Sequence, residues 1–497
     1  MTSILKIDGK KNWYVLKRFL AYLKPFTRII IFMYVFALFN VAATLAIPIL
    51  IRTGIDKNIA DKDLHGLWVT AVFLGAVLLL QFISFRWQGV MLMKTGNQVF
   101  YALRKDLFEH MQKLSFRFFD THKAGSLMTR VTSDVQVLEE LLMTGLDTIL
   151  VDFIMIAGII GAMVFLDARL ALILLLVVPM LMLVVFGLRN KIVQAARGIQ
   201  KHLSSLNAYL NESLSGIMVS RAFAREEINI RKFSEFNDNY FRHTRSFYPL
   251  HAYFWQSVST LNTFSMGLVI LVGGILLYQH TVTVGVIAAF LTYVTQLFHP
   301  MQKISNMLNQ LSRAMASGER IFTILDETPD IQDQEHALVD IKLKGKVQFC
   351  NVHFEYKDDE PVLSGINFTV HPGQTLAIVG HTGSGKTTIV NLLSRFYEVN
   401  SGEILVDERD VRDYNQQSYR SQTAVVMQDP LLFSGSVQDN IRFSVPDAHP
   451  DQVISVCREL GIHDMISEFP RGYDTEIGER GANISIGQKQ LLAFARA

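Results

Sequence analysis

The sequence predicts a bundle of membrane-crossing helices followed by a soluble α/β domain. Three observations carry this. Six apolar stretches lie near residues 29–51, 67–85, 148–166, 170–188, 252–279 and 281–301. The links between them alternate short and long, and the long ones, 86–147 and 189–251, are rich in Lys and Arg. From Gly345 the composition changes to a soluble α/β pattern that contains one glycine-rich loop, residues 380–387.

The apolar stretches come first. A helix needs about 20 apolar residues to cross the hydrocarbon core. Five of the six stretches carry no charge, and the third is the weakest because it includes Asp152. The fourth is nearly pure Leu, Val and Met, with Pro179 inside as an expected kink. A single stretch of this kind also fits a buried soluble helix; six bounded by charge do not. The chain is 50% hydrophobic and 19% charged over 497 residues, and its mean hydropathy is +0.25. That places it in the membrane class, with length for several domains. A net charge of +2 argues against a nucleic-acid partner. Cys350 and Cys457 both lie in the soluble part without metal-ligand spacing, as reduced cytosolic thiols do. Lys10, Lys11, Lys17, Arg18, Lys24 and Arg28 precede the first stretch. That stretch is long enough to stay as a span, so no cleaved signal is expected.

The basic links favour the cytoplasmic side, which puts both termini and the long links inside. Val99, Leu103, Leu107, Met111 and Leu114 recur at helical spacing, as do Leu127, Val131, Val135, Leu138 and Leu142. The two runs predict helical legs of about 40 Å, at 1.5 Å per residue. Between them Phe116, Arg117, Phe118 and Phe119 mark a turn able to contact another domain. The expected division is a cytoplasmic segment 1–28, a transmembrane domain 29–315, a linker 316–344 and a soluble domain 345–497.

Gly380-His381-Thr382-Gly383-Ser384-Gly385-Lys386-Thr387 matches G-x-x-x-x-G-K-[ST] at every fixed position. The glycines permit backbone conformations that a Cβ would block. Successive N–H groups then face phosphate oxygens, and the loop runs into a helix N-terminus that favours anions. Lys386 reaches the β and γ phosphates, and the Thr387 hydroxyl holds Mg²⁺. Residues 375–379 before the loop read as a buried strand, and 388–393 after it, beginning with Thr388, as a helix. This order is the context the motif requires, so the sequence predicts a nucleotide site.

With these motifs on the page, the chain resembles an ATP-binding cassette exporter half-transporter of the multidrug or lipid type over nearly its whole length. The resemblance implies a six-span bundle with long cytoplasmic helices, an α/β P-loop domain, ATP and Mg²⁺ as ligands, and a second half-transporter as partner. It implies that Tyr356 stacks on adenine and that Gln428 touches Mg²⁺ and the attacking water. Ser485-Ile486-Gly487-Gln488 stands where the family has Ser-Gly-Gly-Gln; Ser485 and the Gly487 backbone would meet the γ phosphate held by the other half, with Gln488 opening the helix behind them. Residues 475–481 resemble the exporter-specific loop ahead of this signature, with Glu479 meeting the ends of the helical legs. Coupling elements would correspond to the turn near 116–121 and the region 213–223.

The family continues past this point with an apolar strand ending in Asp-Glu, whose carboxylates hold Mg²⁺ and act as general base. The sequence stops at Ala497 and reads as truncated before that strand, binding ATP without hydrolysing it. A nucleotide-regulated channel or sensor on the same scaffold is the alternative reading; the scarcity of charge within the spans favours transport. Phe254, Trp255, Gln256, Asn262 and Phe264 either line an amphiphile cavity or pack helices. The sequence leaves the substrate open, and equally the choice between homodimer and heterodimer.

Overall fold

The computed structural model describes residues 9–357 and 359–497; the side chains of residues 9, 10, 144, 146–150, 178, 181, 185, 186, 189, 190, 299, 301–309 and 480 lie outside that description. The start of the expected segment 1–28 and part of the third apolar stretch therefore lie outside it. The chain divides into two compact units, Met1–Gln112 with Gly125–Asp326, and Lys113–Ala124 with Glu327–Ala497.

Among the described residues the first unit has helices and no strand. In chain order its helices are α1 (Gly9–Leu23), α2 (Thr27–Thr53) and α3 (Leu64–Lys113). After α4 (Phe116–Thr121), which belongs to the second unit, come α5 (Ala124–Thr129), α6 (Val135–Leu166), α7 (Ala168–Leu175), α8 (Val177–Ser215), α9 (Ile217–Ala222), α10 (Glu226–Tyr278) and α11 (Val284–Asp326). Among the described residues three helical stretches, Lys11–Ile59, Leu64–Lys113 and Glu226–Tyr278, are long and apolar enough to cross a membrane. Val151–Leu166 and Val284–Phe298 are shorter apolar helices.

Sequence features set these boundaries. The short link 167–169 ends α6 and caps α7: the Asp167 carboxylate accepts from the backbone N–H of Arg169 at 2.9 Å and of Leu170 at 3.0 Å. The fourth apolar stretch breaks at Leu176, three residues before Pro179, because a proline ring removes one helical donor and crowds the preceding turn. Ile159, Met163, Leu174, Val258, Phe290 and Tyr293 are among the core of α6, α7, α10 and α11. The Tyr293 hydroxyl donates to the Leu45 carbonyl on α2 at 2.6 Å, satisfying a polar group deep in that core. At one end of the bundle Asp56 accepts from the Gly285 N–H at 2.7 Å and from the Thr283 hydroxyl, tying the end of α2 to the start of α11. A Cβ on Gly285 would lie 2.7 Å from the Arg52 carbonyl, so only glycine fits. The amphipathic legs fold as their spacing predicts, and every residue of both stripes except half-buried Val131 is buried.

The second unit contains β1 (Val347–Glu355), β2 (Pro361–Val370), α12 (Lys386–Leu393), β3 (Ser401–Val406), β4 (Arg409–Asp410) and α13 (Gln416–Arg420). It continues with β5 (Gly435–Ser436), α14 (Val437–Ile441), α15 (Pro450–Glu459), α16 (His463–Ser467), β6 (Glu476–Ile477) and α17 (Ile486–Arg496). One sheet has the order β2-β1-β3-β4, antiparallel throughout, and β5 pairs with β6. Phe349, Val352, Leu363, Leu392, Tyr414 and Tyr419 form the core beneath the sheet. A second core gathers Leu432, Val437, Cys457, Ile466 and Leu492 around α14–α17.

One expectation is corrected here. Residues 375–379, expected as a buried strand, form no ladder, and Val379 is 87% exposed. The run 423–427 ahead of Gln428 likewise has no ladder. An apolar run becomes a strand only when neighbouring backbone pairs with it, and among the described residues none does. Within the segment 316–344, residues 316–322 continue α11 as helix, as their sequence suggests, and Glu327 onward groups with the soluble unit. Arg395, 1% exposed, holds that segment by donating to the carbonyls of Gln332 at 3.2 Å and Tyr414 at 2.8 Å. Asp407 fixes its far end by accepting from the N–H groups of Lys344 at 2.6 Å and Lys346 at 3.0 Å. Burial acts to raise the Asp407 carboxyl, but these backbone donors outweigh it and hold the group below its ordinary value.

Candidate nucleotide-binding site

The loop from Gly380 to Lys386 is built by its glycines. Gly383 and Gly385 have φ of +87° and +85°, in the left-handed region that L side chains avoid. A Cβ on Gly385 would lie 2.6 Å from Leu363 Cδ2 on β2, and one on Gly380 would lie 2.6 Å from Ser384 Oγ. The loop closes on itself: Ser384 N donates to the His381 carbonyl at 3.2 Å. The Lys386 ammonium donates to the carbonyls of Gly380 at 3.0 Å and His381 at 2.8 Å. A cation is thereby held across a ring of backbone.

Helix α12 begins at Lys386 behind Gly385, and no side chain caps it. The N–H groups of its first turn therefore remain available to an outside acceptor, with the positive end of the helix behind them. His381, Thr382, Gly383 and Ser384 are exposed, and no carboxylate interrupts residues 380–388. This combination of free amides, one lysine and no acidic side chain fits a polyphosphate.

Thr387 and Thr388 part company. Thr387 is exposed, as a metal-holding hydroxyl needs to be. Thr388 is buried, and its hydroxyl oxygen accepts from the Tyr356 hydroxyl at 3.2 Å, so only its backbone remains for a ligand. Tyr356 also accepts from Asn391 Nδ2 at 3.3 Å, and its ring meets Phe354 edge to face at 4.8 Å. The structure thus brings the expected adenine partner onto the phosphate-loop helix.

No hydrogen bond among the described residues joins the side chains of the remaining expected residues to that group. Gln428 lies in an exposed bend. Ser485 caps α17: its hydroxyl accepts from Gln488 N at 3.2 Å, while Gln488 Oε1 accepts from Ser485 N at 3.0 Å. This capping box occupies the Gln488 side chain in the helix start. Ile486, the departure from the family's glycine, is 71% exposed and so displaces no packed neighbour in the single chain. The Gly478 N–H donates to Asn483 Oδ1 at 2.9 Å and Asn483 Nδ2 donates to the Glu476 carbonyl at 2.9 Å, tying the loop ahead of the signature.

Sequence reasoning passed over two anchors. Buried Asn440 donates to the Phe433 carbonyl at 2.8 Å and accepts from its N–H at 2.8 Å, fixing the chain beyond Gln428. Arg395 is the other. Neither belongs to a periodic pattern: Arg395 acts on backbone 63 and 19 positions away, and Asn440 closes a local loop seven positions back, so helical or strand spacing gave no signal.

Comparisons with known proteins agree with this geometry. The family model described as ABC transporter transmembrane region matches residues 30–301, and that described as ABC transporter matches residues 363–497. An uncharacterized ABC transporter ATP-binding protein of Bacillus subtilis, YknV, is 35% identical, covering 99% of this chain and 82% of its own. A putative multidrug export ATP-binding/permease protein of the same organism, YgaD, is 32% identical over 97% of this chain and 84% of its own. A solved bacterial Atm1-family ABC exporter with ATP bound shares the fold, with a TM-score of 0.76 at 24% identity, covering 95% of this chain and 83% of that one. A glycine-rich loop on an α/β unit, joined in one polypeptide to a unit of long apolar helices, thus has its counterpart in known proteins: the chain belongs to the ABC transporter family and has the exporter fold.

Proposed function

We propose that the protein is one half of a dimeric exporter that uses ATP to move a small amphiphilic or lipid-like molecule across the cell membrane. The observation that carries this reading is the Gly380–Lys386 loop, shaped for a polyphosphate, on the same chain as helices long and apolar enough to cross a bilayer. The relatives named as multidrug export proteins support the amphiphilic class of substrate.

In this reading the six apolar segments cross the membrane, with the basic links, both termini and the soluble unit on the cytoplasmic side. Lys386 and the loop amides bind the β and γ phosphates, and Tyr356 stacks on adenine. Thr387 and Gln428 would hold Mg²⁺, which neutralises phosphate charge when bound. Ser485, Gly487 and the start of α17 serve the nucleotide held by the second half-transporter, so each site needs both chains. The tip formed by α9 supports such a partner: Met218 is 82% and Phe223 72% exposed in the single chain, more apolar surface than a solvated turn requires. Closing the two soluble units draws the legs together and opens the bundle outward. Moving such an equilibrium from 1:99 to 99:1 takes about 5.5 kcal/mol of differential binding, within reach of two sandwiched γ phosphates.

The test is Lys386→Ala in proteoliposomes, made in a chain that includes the family's Asp-Glu strand. ATP-dependent flux should vanish while the helical circular dichroism signal stays. Flux at the wild-type rate would refute the assignment.

A further inference from the structure

The soluble unit contains a line of contacts that the nucleotide site itself does not need. The turn Lys113–Ala124 folds onto this unit. Phe116 packs on Phe396 with ring centroids 4.4 Å apart, and the Ser115 hydroxyl donates to Asp330 at 2.9 Å. The Tyr397 hydroxyl donates to the Asp120 carboxylate at the end of α4. The Tyr397 ring also meets Tyr356 edge to face, with centroids 5.1 Å apart and planes at 89°. Tyr356 is bonded to Thr388 on α12. Contacts therefore run unbroken from the phosphate-loop helix through Tyr356 and Tyr397 to Asp120.

We propose that Tyr397 is a positioning residue for ATP-driven transport, its hydroxyl tying the adenine seat at Tyr356 to the turn that joins α3 to α5. This rests on the reading of Tyr356 as that seat. The geometry favours transmission over simple packing in three ways. The far end of Tyr356 is held by Thr388 and Asn391, so displacement of its ring on stacking is passed toward Tyr397. A cavity of about 220 Å³ beside the pair, lined by Ser115, Arg117, Tyr356, Phe396, Tyr397 and Asn400, gives both rings room for a second arrangement. A close-packed core would allow none. Finally, burial and the bond to Asp120 keep the Tyr397 phenol well above its ordinary pKa, so it stays protonated and always donates. A hydroxyl donor to a carboxylate is among the stronger hydrogen bonds, and the loss of one oxygen atom breaks it.

The experiment compares wild type with Tyr397→Phe in detergent micelles, using Mg-ATP as the probe. It reads the Kd for ATP together with amide hydrogen exchange of residues 113–124. In wild type, ATP should slow exchange in that segment about tenfold, the factor that corresponds to about 1.4 kcal/mol. In Tyr397→Phe the Kd should stay within about twofold, on the scale of that same relation, while the slowing disappears. Asp120→Asn should weaken the slowing in the same way and serves as the second variant if Tyr397→Phe is poorly folded. Slowing that survives in both variants at unchanged Kd overturns the proposal. Loss of ATP affinity in Tyr397→Phe also overturns it, since the hydroxyl would then belong to the seat. Wild type that binds ATP without slowing at 113–124 defeats this proposal alone, whereas wild type that binds no ATP defeats the nucleotide-site reading itself.

Discussion

Arg320 on α11 grips the Asp134 carboxylate with two of its nitrogens, Nε donating to Oδ2 at 2.9 Å and Nη2 to Oδ1. Ser317 adds a hydroxyl donor at 2.9 Å and Arg130 a guanidinium donor at 3.1 Å. Asp134 is buried, so this cluster joins the turn before α6 to the far part of α11 inside the helical unit.

The first prediction concerns that cluster. Burial acts to raise the Asp134 carboxyl, but Arg320, Ser317 and Arg130 prevail and hold it below its ordinary value. A carboxyl depressed in the fold contributes stability above its unfolded pKa, about 3.9, and loses it as pH falls through the folded value. Asp134→Asn should therefore cost about 1–3 kcal/mol at neutral pH, less than a fully buried pair because Arg320 is partly exposed. Thermal unfolding in detergent checks this. The gap between wild type and variant should be constant from pH 7 to about 5 and shrink below about 4. A gap that widens on acidification would contradict the assignment of the carboxylate as the charged partner.

A second prediction tests the shape of the phosphate loop without touching its lysine. Gly385 combines φ of +85° with a Cβ position 2.6 Å from Leu363. Gly385→Ala strains the backbone by about 1 kcal/mol or more and pushes on β2. ATP affinity should fall at least tenfold by isothermal titration, with the helical unit unaffected. Gly373→Ala, at φ of +74° with nothing near its Cβ, serves as the control for backbone strain alone. Equal losses in both would show that the close approach to Leu363 is immaterial.

What the sequence revealed and what it concealed follow from how each signal is stored. The backbone geometry of the glycine-rich loop was legible because it depends on consecutive residues: Gly383, Gly385 and Lys386 lie within four positions. The helical legs were legible because Val99 to Leu114 repeat with the helix period and are buried on that period. Residues 375–379 misled for the opposite reason. Their apolar character is local, but strand pairing depends on neighbours that are distant in sequence. The contact between Tyr397 and Asp120 was equally hidden, because Asp120 lies 277 positions away, at the turn between the two helical legs.

The third prediction follows from Arg395. Its guanidinium is 1% exposed, donates to two carbonyls and lies 3.5 Å from Asp333 and 3.4 Å from Glu398. Removing it leaves the buried Tyr414 carbonyl and the half-buried carboxylates beside it without a donor, so Arg395→Ala should destabilise the soluble unit by about 2–4 kcal/mol. Arg395→Lys should rescue little, because an ammonium cannot reproduce the guanidinium fork. Limited proteolysis gives the readout: both variants should be cut within 327–344 much faster than wild type. Cleavage at the wild-type rate would show that Asp407 alone holds this segment.

The last prediction separates two roles of one ring. Tyr356 would stack on adenine, yet its hydroxyl also binds Thr388 and Asn391. Stacking of a base on an aromatic side chain is worth about 1–3 kcal/mol, whereas an ordinary hydrogen bond contributes about 0.5–1.5 kcal/mol net. Tyr356→Phe keeps the π face and drops only the hydroxyl; Tyr356→Leu keeps bulk and drops the face. If the ring binds adenine, the leucine variant should lose about 5- to 150-fold in ATP affinity and the phenylalanine variant far less. Inorganic triphosphate, which has no base, should bind both variants equally well. The reverse order, with phenylalanine the more damaging, would make the hydroxyl and its grip on α12 the reason Tyr356 matters, and adenine recognition would then rest elsewhere.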